Sequence, residues 1–489
     1  MSQQLTFLWH DYETFGAQPR RDRPAQFAAI RTDQDLNEIG EPLMMYCQPA
    51  ADYLPDPVSC LITGITPQYC ASHGLPEYAF AARIERELSV AGTIGVGYNT
   101  IRFDDEVTRF MFWRNLIDPY AREWQNGCGR WDILDVVRAA YALRPQGIEW
   151  PVNDEGRVSF KLEHLSAANG LQHESAHDAV SDVRATIALA RLIREKQPKL
   201  FDFCLSLRRK DRVAQEIRIP ATRESARPFL HISGMFAPER GCLAVMWPLA
   251  THPTNKNELL AWDLSADPAE LATLDAAQIR ERLFIKNDDL PEGITRLPIK
   301  GVHLNKSPVV VGNLKTLSPE MAGRWGIDIE QVMMNALKAR DLPDMSAIWQ
   351  EVYQRAQPAE APDVDEDLYG GFIGHDDRRR LERIRSLSAQ ELAVDNTGFD
   401  DERLGDLVWR YRARNFPQTL SQREKQEWQM HCMHRLLQGQ NGYRTVAQLQ
   451  EEVDQLSMER SEREDEQSMK EMEILESLYD YAQSLVTDS

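Results

Sequence analysis

The sequence predicts an α/β protein in which a mixed sheet is followed by a β-rich part and then by an all-helical part. Three observations support this prediction. Strand-like segments come first and then alternate with helix-like segments up to about residue 196. Residues 228–320 contain short apolar segments separated by turn residues, and from residue 352 onwards the pattern is helical. We therefore expect domains at 1–196, 197–351 and 352–489.

The first strand is predicted over residues 5–14, where apolar and aromatic residues lead up to Gly16 and Pro19. Two more strands fit residues 26–32 and 43–47. The polar, turn-rich linker between them predicts an antiparallel meander. A proline-rich loop beginning at Pro49 follows. Residues 93–98 are nearly all apolar and predict a buried strand.

Helices follow in the same part of the chain. They fit residues 76–88, a segment beginning near residue 103, and residues 132–143, 162–168 and 178–194. In the last of these, apolar residues recur at three- and four-residue spacing and form one apolar face. Strands at 229–232, 242–247, 259–264 and 307–311 predict a small β-barrel. After the acidic linker 358–367, helices fit 376–395, 400–414, 421–437, 445–457 and 459–486.

The composition is that of a globular protein, with 42% hydrophobic and 27% charged residues. No run of twenty apolar residues occurs, so we expect no membrane span, and the first residues do not resemble a signal peptide. The seven cysteines are scattered, which indicates reduced thiols in a cytoplasmic protein. The net charge is −20, but residues 451–489 supply half of it. Phosphate binders usually carry basic surfaces, so this charge argues against a nucleic-acid partner. Because the local field matters more than the total, it weakens that interpretation without excluding it.

Two carboxylates on the first strand are the first functional signal. Successive side chains of a strand point to opposite faces, so Asp11 and Glu13 lie side by side. They repel each other unless a cation lies between them, and carboxylate oxygens are the ligands that Mg²⁺ prefers. In a chain with 76 acidic residues the Asp-x-Glu pattern also recurs by chance, so this pair needs support from other residues.

Further acidic residues come at two later points. Asp104 and Asp105 follow the strand at 93–98, and the sequence chemistry alone does not show which of them faces a site. Either could instead only complement the helix dipole. His177 lies at a helix entrance, with Asp182 inside that helix. Four carboxylates and one imidazole in this order suit a two-metal phosphoryl-transfer site, in which the histidine accepts the proton of the attacking water.

These three motifs resemble those of the DEDDh 3′–5′ exonucleases, which have a ribonuclease-H-like fold. The resemblance selects Asp104 over Asp105. It implies that Asp11, Glu13, Asp104, His177 and Asp182 are catalytic. It also implies that the four carboxylates hold two Mg²⁺ ions, for which Mn²⁺ can substitute.

Longer segments resemble bacterial exonuclease I: residues 10–16, 23–31, 61–67, 102–109 and 411–417. The resemblance implies an SH3-like β-barrel domain and a helical C-terminal domain that close over the catalytic domain. It also implies processive 3′–5′ degradation of single-stranded DNA to 5′-mononucleotides, in DNA repair and recombination. The expected partner is single-stranded DNA-binding protein (SSB), bound through its acidic C-terminal tail, with Arg144 a candidate for that contact. We expect a monomer.

Arginines and aromatic residues interleave between residues 102 and 144. Such residues hold single strands by charge and stacking, although most of these aromatics fit a core and most of the arginines fit a solvated helix face. The residues that match DNA-facing positions of the family are Arg109, Tyr120, Trp124 and Arg138. Lys161 stands where the family has a basic residue near the terminal nucleotides, and Glu13 is also an expected substrate contact.

Two alternatives stay open at this point. The same chemistry serves exonucleases that act on RNA or on mismatched polymerase ends, and the motifs alone do not separate these substrates. The long extension after the catalytic domain favours a separate DNA enzyme. A non-catalytic nucleic-acid-binding scaffold is disfavoured, because all five active-site residues are present.

Overall fold

The computed structural model describes residues 5–171, 179–219, 222, 225–286, 289–354, 362–461 and 465–487. The chain forms two compact units. Unit 1 consists of Met1–Gly129, Glu174–Arg184 and Ala359–Ser489, and unit 2 of Arg130–His173 and Ala185–Pro358. The N-terminal and C-terminal parts of the chain therefore share unit 1. Within the described ranges, no helix combines the length and the apolar character that a membrane span needs.

A mixed β-sheet lies in unit 1. Its strands β1 (Thr6–Thr14), β2 (Pro24–Thr32), β3 (Leu43–Tyr46) and β4 (Thr93–Gly97) neighbour one another in the order β3-β2-β1-β4. β1 is antiparallel to β2 and parallel to β4, and β2 is antiparallel to β3. The predicted meander and buried strand are therefore present. β5 (Gly129–Asp132) lies where the chain passes from unit 1 to unit 2.

The predicted proline-rich loop is present over residues 49–56, but its last proline, Pro57, begins a short helix that we did not predict, α1 (Pro57–Thr63), and a second such helix, α2 (Pro67–His73), follows. Each proline is the first residue of its helix, a position that needs no N–H donor. Asp56 and Thr66 cap the two helices. Predicted helices are found at α3 (Glu77–Leu88), α4 (Asp104–Arg114), α5 (Ile133–Leu143), α6 (Leu162–Ala168) and α7 (Ala179–Lys196).

The middle of the chain forms an antiparallel sheet in unit 2, in the order β10-β6-β7-β8-β9. Its strands are β6 (Phe229–Ile232), β7 (Leu243–Thr251), β8 (Glu258–Asp263), β9 (Ile299–His303) and β10 (Val309–Val311). Helices that we did not predict accompany it: α8 (Pro198–Ser206), α9 (Lys210–Glu216), α10 (Ala276–Phe284), α11 (Pro319–Arg324), α12 (Ile329–Arg340) and α13 (Ser346–Val352). Their apolar faces are narrow; α10, for example, buries only Ala276 and Ile279.

The C-terminal part of unit 1 is helical, as predicted. Its helices are α14 (His375–Ser386), α15 (Ala389–Val394), α16 (Arg403–Asn415), α17 (Gln422–Gln438), α18 (Val446–Ser461) and α19 (Glu466–Thr487). The predicted helix 376–395 is two helices, since Ser388 starts α15 with a capping box to Glu391. Trp428, Leu449 and Leu475 share a hydrophobic core with Phe15 and Cys60, so the two ends of the chain are packed together.

Buried charges also join the two ends of the chain. Asp52, which is fully buried, accepts hydrogen bonds from Arg414 at 2.7 Å and from Arg435 at 2.7 Å. The same two arginines pair with the buried Asp365. We call this set the buried ion network; its members are Arg23, Asp52, Asp363, Asp365, Arg410, Arg414 and Arg435.

Candidate active site

Strand β1 presents two carboxylates from one face. Asp11 and Glu13 are partly exposed, whereas Tyr12 between them is buried. Asp182, in the first turn of α7, lies beside them, and the three side chains offer ligand oxygens that all lie within 4.8 Å of one another. The alternation that the sequence predicted therefore brings Asp11 and Glu13 together with an acid from about 170 residues further along the chain.

Asp104 reaches the same place from the first turn of α4. It is buried, with 3% of its surface exposed, and its Oδ1 accepts a hydrogen bond of 3.1 Å from the backbone N–H of Tyr12. The Thr108 hydroxyl donates to the carbonyl of Asp104 at 2.8 Å, and its oxygen lies 3.0 Å from the hydroxyl oxygen of Tyr12. Its neighbour Asp105 points elsewhere and pairs with Arg122 at 2.5 Å. The structure thus brings Asp104, and not Asp105, to the carboxylates of β1.

The ionisation of these carboxylates reflects their crowding. Burial, and then the nearby charge of Asp182, raise the pKa of Asp11 to about 7. Burial and the charge of Asp11 also raise the pKa of Asp104 well above its ordinary value. Acidic groups that oppose one another's ionisation are stabilised by a bound cation. A cluster made only of carboxylate oxygens fits a hard divalent ion such as Mg²⁺. His177 lies outside the described residues.

A second histidine lies next to this site. His10 is buried, and burial, followed by the charge of Arg122, lowers its pKa to about 4. The imidazole of His10 is therefore neutral at physiological pH. Its Nδ1 lies 3.2 Å from the carbonyl of Leu8, and its ring packs against Tyr12 and Phe27, on the face of β1 opposite to Asp11 and Glu13.

The predicted substrate residues of unit 1 lie on α4 and on the segment after it. Trp124 is exposed over 65% of its surface, and Tyr120 lies beneath the guanidinium of Arg109, with 5.2 Å between Cζ and the ring centroid. Arg109 itself is only 5% exposed. It donates to Glu123, Glu106 and Tyr369. Its charge is therefore neutralised inside the protein.

The other two predicted substrate residues belong to unit 2. Arg138 pairs with Asp135 at 2.7 Å and lies 6.0 Å from the centroid of the Phe160 ring. Lys161, the next residue, is largely exposed, and its Nζ is 3.6 Å from Glu163. Arg138 thus lies beside the residue that precedes Lys161, and each of these two basic side chains is paired with an acidic one.

Three residues of this region were missed by sequence reasoning: Arg122, Glu123 and Tyr369. Arg122 and Glu123 form ion pairs with α4, and the Tyr369 hydroxyl hydrogen-bonds Glu106 at 2.5 Å. The sequence signal for Arg122 and Glu123 was that two adjacent residues of opposite charge lie between the aromatic residues Tyr120 and Trp124. Nothing near Tyr369 in the sequence indicates its contact with α4.

Unit 2 also contains a pocket of about 570 Å³ with a basic rim. Arg144 and Lys199 contribute positive charge, Arg212 is paired with Glu216 at 2.6 Å, and the apolar lining is formed by Leu143, Leu200, Phe203 and Val311. Nη1 of Arg144 donates to the carbonyl of Thr316 at 3.1 Å, which holds that side chain at the pocket. Such a surface suits an acidic peptide with apolar side chains.

Family models match almost the whole chain. One described as "Exonuclease" matches residues 8–190, one described as "Exonuclease I SH3-like domain" matches residues 208–355, and one described as "Exonuclease I C-terminal domain" matches residues 362–485. Among curated proteins, the chain is 44% identical to exodeoxyribonuclease I of Escherichia coli strain K12 over 485 residues, which cover 99% of both chains. It is also 44% identical to that of Haemophilus influenzae over 438 residues, covering 89% of this chain and 92% of the relative.

Solved structures resemble the chain over 99% of its length. The moderately thermophilic exonuclease I from Methylocaldum szegediense matches with a TM-score of 0.92 at 45% identity. E. coli exonuclease I in complex with a dA16 oligonucleotide matches with a TM-score of 0.90 at 43% identity. An ExoI/SSB-Ct complex matches with a TM-score of 0.89 at 42% identity. In all three the match covers 100% of the solved chain.

Proposed function

Because this chain belongs to the exonuclease I family, we propose that it removes nucleotides from the 3′ end of single-stranded DNA. Membership makes the chain an exodeoxyribonuclease. It also confirms the family resemblance and the predicted fold class, a ribonuclease-H-like exonuclease domain followed by an SH3-like domain and a helical domain. The observation that carries the substrate proposal is the carboxylate cluster on β1, in a chain that matches an oligonucleotide-bound exonuclease I along its length.

We assign the catalytic roles to five residues. Asp11, Glu13, Asp104 and Asp182 would hold two Mg²⁺ ions, or Mn²⁺ in their place. Such ions polarise the scissile phosphate and lower the pKa of bound water. His177 accepts the proton of the attacking water, a role that follows from its motif. His10 is not suited to this role, because it is buried and its pKa is lowered to about 4, which makes it a weak base.

The chain's own residues position the substrate. Tyr120 and Trp124 provide aromatic faces for bases, each stack contributing about 1–3 kcal/mol. Arg138 and Lys161 supply positive charge for phosphates, and Glu13 contacts the terminal nucleotide. Arg109 is the remaining candidate. Because Glu106 and Glu123 occupy its donors, a phosphate would have to replace one of these glutamates. We infer that degradation is processive, yields 5′-mononucleotides and serves DNA repair and recombination.

The activity is tested with single-stranded DNA labelled at its 3′ or 5′ end, with RNA and duplex DNA for comparison, in Mg²⁺ and in EDTA. We expect immediate release of the 3′ label, abolished by EDTA. The Asp11→Asn variant should lose activity by about 10³-fold or more, whereas Asp480→Asn, an exposed acid on α19, should not. Preferential digestion of RNA would instead favour an exoribonuclease, and binding without cleavage would favour a scaffold.

We propose SSB as a protein partner and the basic-rimmed pocket of unit 2 as the place where its acidic C-terminal tail binds. The support is charge complementarity with Arg144 and Lys199, together with the likeness to the ExoI/SSB-Ct complex. A fluorescent peptide with the tail sequence should bind about tenfold more weakly to Arg144→Ala and unchanged to Arg423→Ala, an exposed arginine of unit 1. Equal binding to both variants would remove the pocket from the proposal.

We further propose that the protein is a cytoplasmic monomer. All seven cysteines are free thiols, which suits a reducing compartment. Light scattering during gel filtration measures the oligomeric state directly.

A further inference from the structure

The segment between α4 and β5 is attached to α4 by two neighbouring residues of opposite charge. Nη2 of Arg122 donates to Oδ1 of Asp105 at 2.5 Å, and both side chains are 1% exposed. Glu123 accepts hydrogen bonds from Nε and Nη2 of Arg109, at 2.7 and 2.9 Å. Asp105 and Arg109 are four residues apart and therefore lie on one face of the helix. We call these two ion pairs the loop anchor.

The loop anchor lies between the two aromatic residues that we propose as stacking surfaces. Tyr120 precedes Arg122 by two residues, and Trp124 follows Glu123 directly. Asp118 fixes the start of the same segment, since its Oδ1 accepts from the N–H groups of Tyr120 and Ala121. The charged residues thus point into the protein, while Trp124 points outwards with 65% of its surface exposed.

A pocket of about 200 Å³ borders this segment and is lined in part by Trp113, Leu116, Tyr120, Ala121, Phe372 and Leu381. The segment is therefore not packed against a continuous core on that side, and the loop anchor is part of what attaches it to α4.

Arg122 also lies close to His10, a residue of the strand that carries Asp11 and Glu13, and its charge helps to lower the pKa of that histidine. A Cβ atom built on Gly95 would lie 3.4 Å from Cε1 of His10 and 3.5 Å from Nη1 of Arg122, so both side chains lie over that glycine of β4. His10 directly precedes Asp11 on β1. Helix α4, to which Arg122 is tied, begins at Asp104, which is hydrogen-bonded to the backbone of Tyr12.

We propose that Arg122 and Glu123 are positioning residues for the exonuclease reaction, holding Tyr120 and Trp124 rigidly on the helix that carries Asp104. Single-stranded DNA whose bases stack on these two rings then reaches the carboxylates in one orientation. A preorganised surface binds more tightly, because less freedom is lost on binding. This inference rests on the proposed function and gives Glu123 the role of holding the segment to α4 through Arg109.

The Glu123→Gln variant tests this assignment, because the proposal predicts weaker DNA binding and the alternative predicts tighter DNA binding. If Glu123 anchors the segment, its loss should raise KM for a single-stranded 16-mer about tenfold and change kcat by less than about twofold. If Glu123 only competes with phosphate for Arg109, the freed arginine should bind DNA more tightly and steepen the salt dependence of log K by about 0.7. Tighter binding, or no change, would overturn the proposal.

Arg122 is tested by a conservative and a disruptive replacement. Arg122→Met should lower kcat about tenfold, because it disturbs the helix that carries Asp104, and Arg122→Lys should restore most of the loss. Equal rates for Met, Lys and wild type would overturn the role of Arg122. Where Arg122→Met does not fold, as judged by thermal unfolding, Arg122→Lys and Glu123→Gln decide the outcome.

Glu459→Gln, which removes one exposed charge on α18, is the matched control and should behave as wild type. The failure of this inference can be distinguished from the failure of the proposed function. If wild type does not degrade single-stranded DNA, the proposed function fails. If wild type is active and the Arg122 and Glu123 variants are equally active, only the loop anchor fails.

Discussion

Asp11 is surrounded by acidic groups, and burial together with the charge of Asp182 raises its pKa to about 7. A carboxyl group with a raised pKa is protonated over a wider range of pH, and a metal ion must displace that proton. Proton and cation therefore compete for Asp11 near neutral pH. At the scale of single residues, this competition controls how well the site binds a cation.

We predict that Mg²⁺ affinity falls as the pH is lowered below about 7, by up to about tenfold for each pH unit, and is nearly constant above that value. The affinity falls rather than rises at low pH because the raised pKa of Asp11 favours its protonated, metal-free form there. Isothermal titration calorimetry across this range, in buffers of different ionisation enthalpy, measures both the affinity and the proton released. In Asp11→Asn the proton release should be largely lost. An affinity that does not change between about pH 6 and 8 would contradict the prediction.

The pairing of Asp11 with Glu13 could be predicted from the sequence, since it needs only the two-residue period of a strand. The choice between Asp104 and Asp105 came only from the family motif, because residue chemistry alone left both open. In the structure Asp105 is bound by Arg122, which lies on a segment without periodic pattern. The grouping of Asp182 with Asp11 also needed the motif, because nothing local connects α7 with β1.

At the scale of secondary structure, the close approach of β4 to β1 positions the site. Gly97 ends β4, and a Cβ atom there would lie 2.6 Å from the backbone carbonyl oxygen of His10 and 2.1 Å from Cγ2 of Thr100. The His10 carbonyl belongs to β1, directly before Asp11, and cannot move without displacing the strand. Only glycine fits this position.

The Gly97→Ala variant should therefore lower the free energy of unfolding by about 1–3 kcal/mol, the usual cost of overpacking. It should also reduce activity, since β1 carries two of the carboxylates. The matched control is Gly405→Ala in helix α16, where no atom would contact the added Cβ. Removing that helical glycine should raise the free energy of unfolding by about 0.5–1 kcal/mol. Urea unfolding of both variants measures the difference, and similar values for the two would refute the argument.

Which elements could be predicted depended on the width of their apolar faces. Strand β1 and helix α7 have clear periods and were predicted. Helix α12 buries Val332, Asn335, Ala336 and Ala339, of which only Val332 is a large apolar residue, so the pattern is too weak to recognise. Its position is determined by tertiary contacts, such as the hydrogen bond of 2.9 Å from Asn335 to the carbonyl of Leu264.

At the scale of the whole molecule, the buried ion network ties the catalytic part of unit 1 to its C-terminal helices. Breaking a buried ion pair leaves a charge without compensation, which costs about 3–5 kcal/mol. We predict that Arg414→Met lowers the free energy of unfolding by that amount, because both Asp52 and Asp365 lose a partner. Arg423→Met, a change at an exposed arginine, should have little effect. Chemical unfolding followed by circular dichroism compares the two variants.

The same network predicts sensitivity to acid. Burial opposes the ionisation of Asp52 and Asp365, but Arg414 and Arg435 outweigh it and hold the pKa of both carboxyls well below the ordinary range. A lowered pKa in the folded state contributes stability above the unfolded value of about 4, and this stability is lost as the pH falls further. Thermal unfolding should therefore show Tm falling below about pH 4, less steeply in Arg414→Met. Parallel curves for the two proteins would exclude this source of acid sensitivity.

Two of the seven members of this network, Arg23 and Arg414, lie in segments that resemble exonuclease I. Residues 411–417 were singled out only because they resemble exonuclease I, and no local rule connects Arg414 with Asp52, which lies 362 residues earlier. Long-range charge pairing leaves no periodic signal in a sequence. Its members can be recognised only when the packing of the C-terminal helices is known.

The distance along the chain between Asp52 and Arg414 has a consequence for the synthesis of the protein. Ribosomes add about 5–20 residues each second, so Asp52 is synthesised roughly 20–70 s before Arg414, given the 362 residues between them. During that interval the nascent chain cannot complete the buried ion network. A messenger that ends before residue 414 would produce a fragment in which Asp52 has neither Arg414 nor Arg435 to neutralise it. Translation through the C-terminal helices is therefore a condition for closing this network.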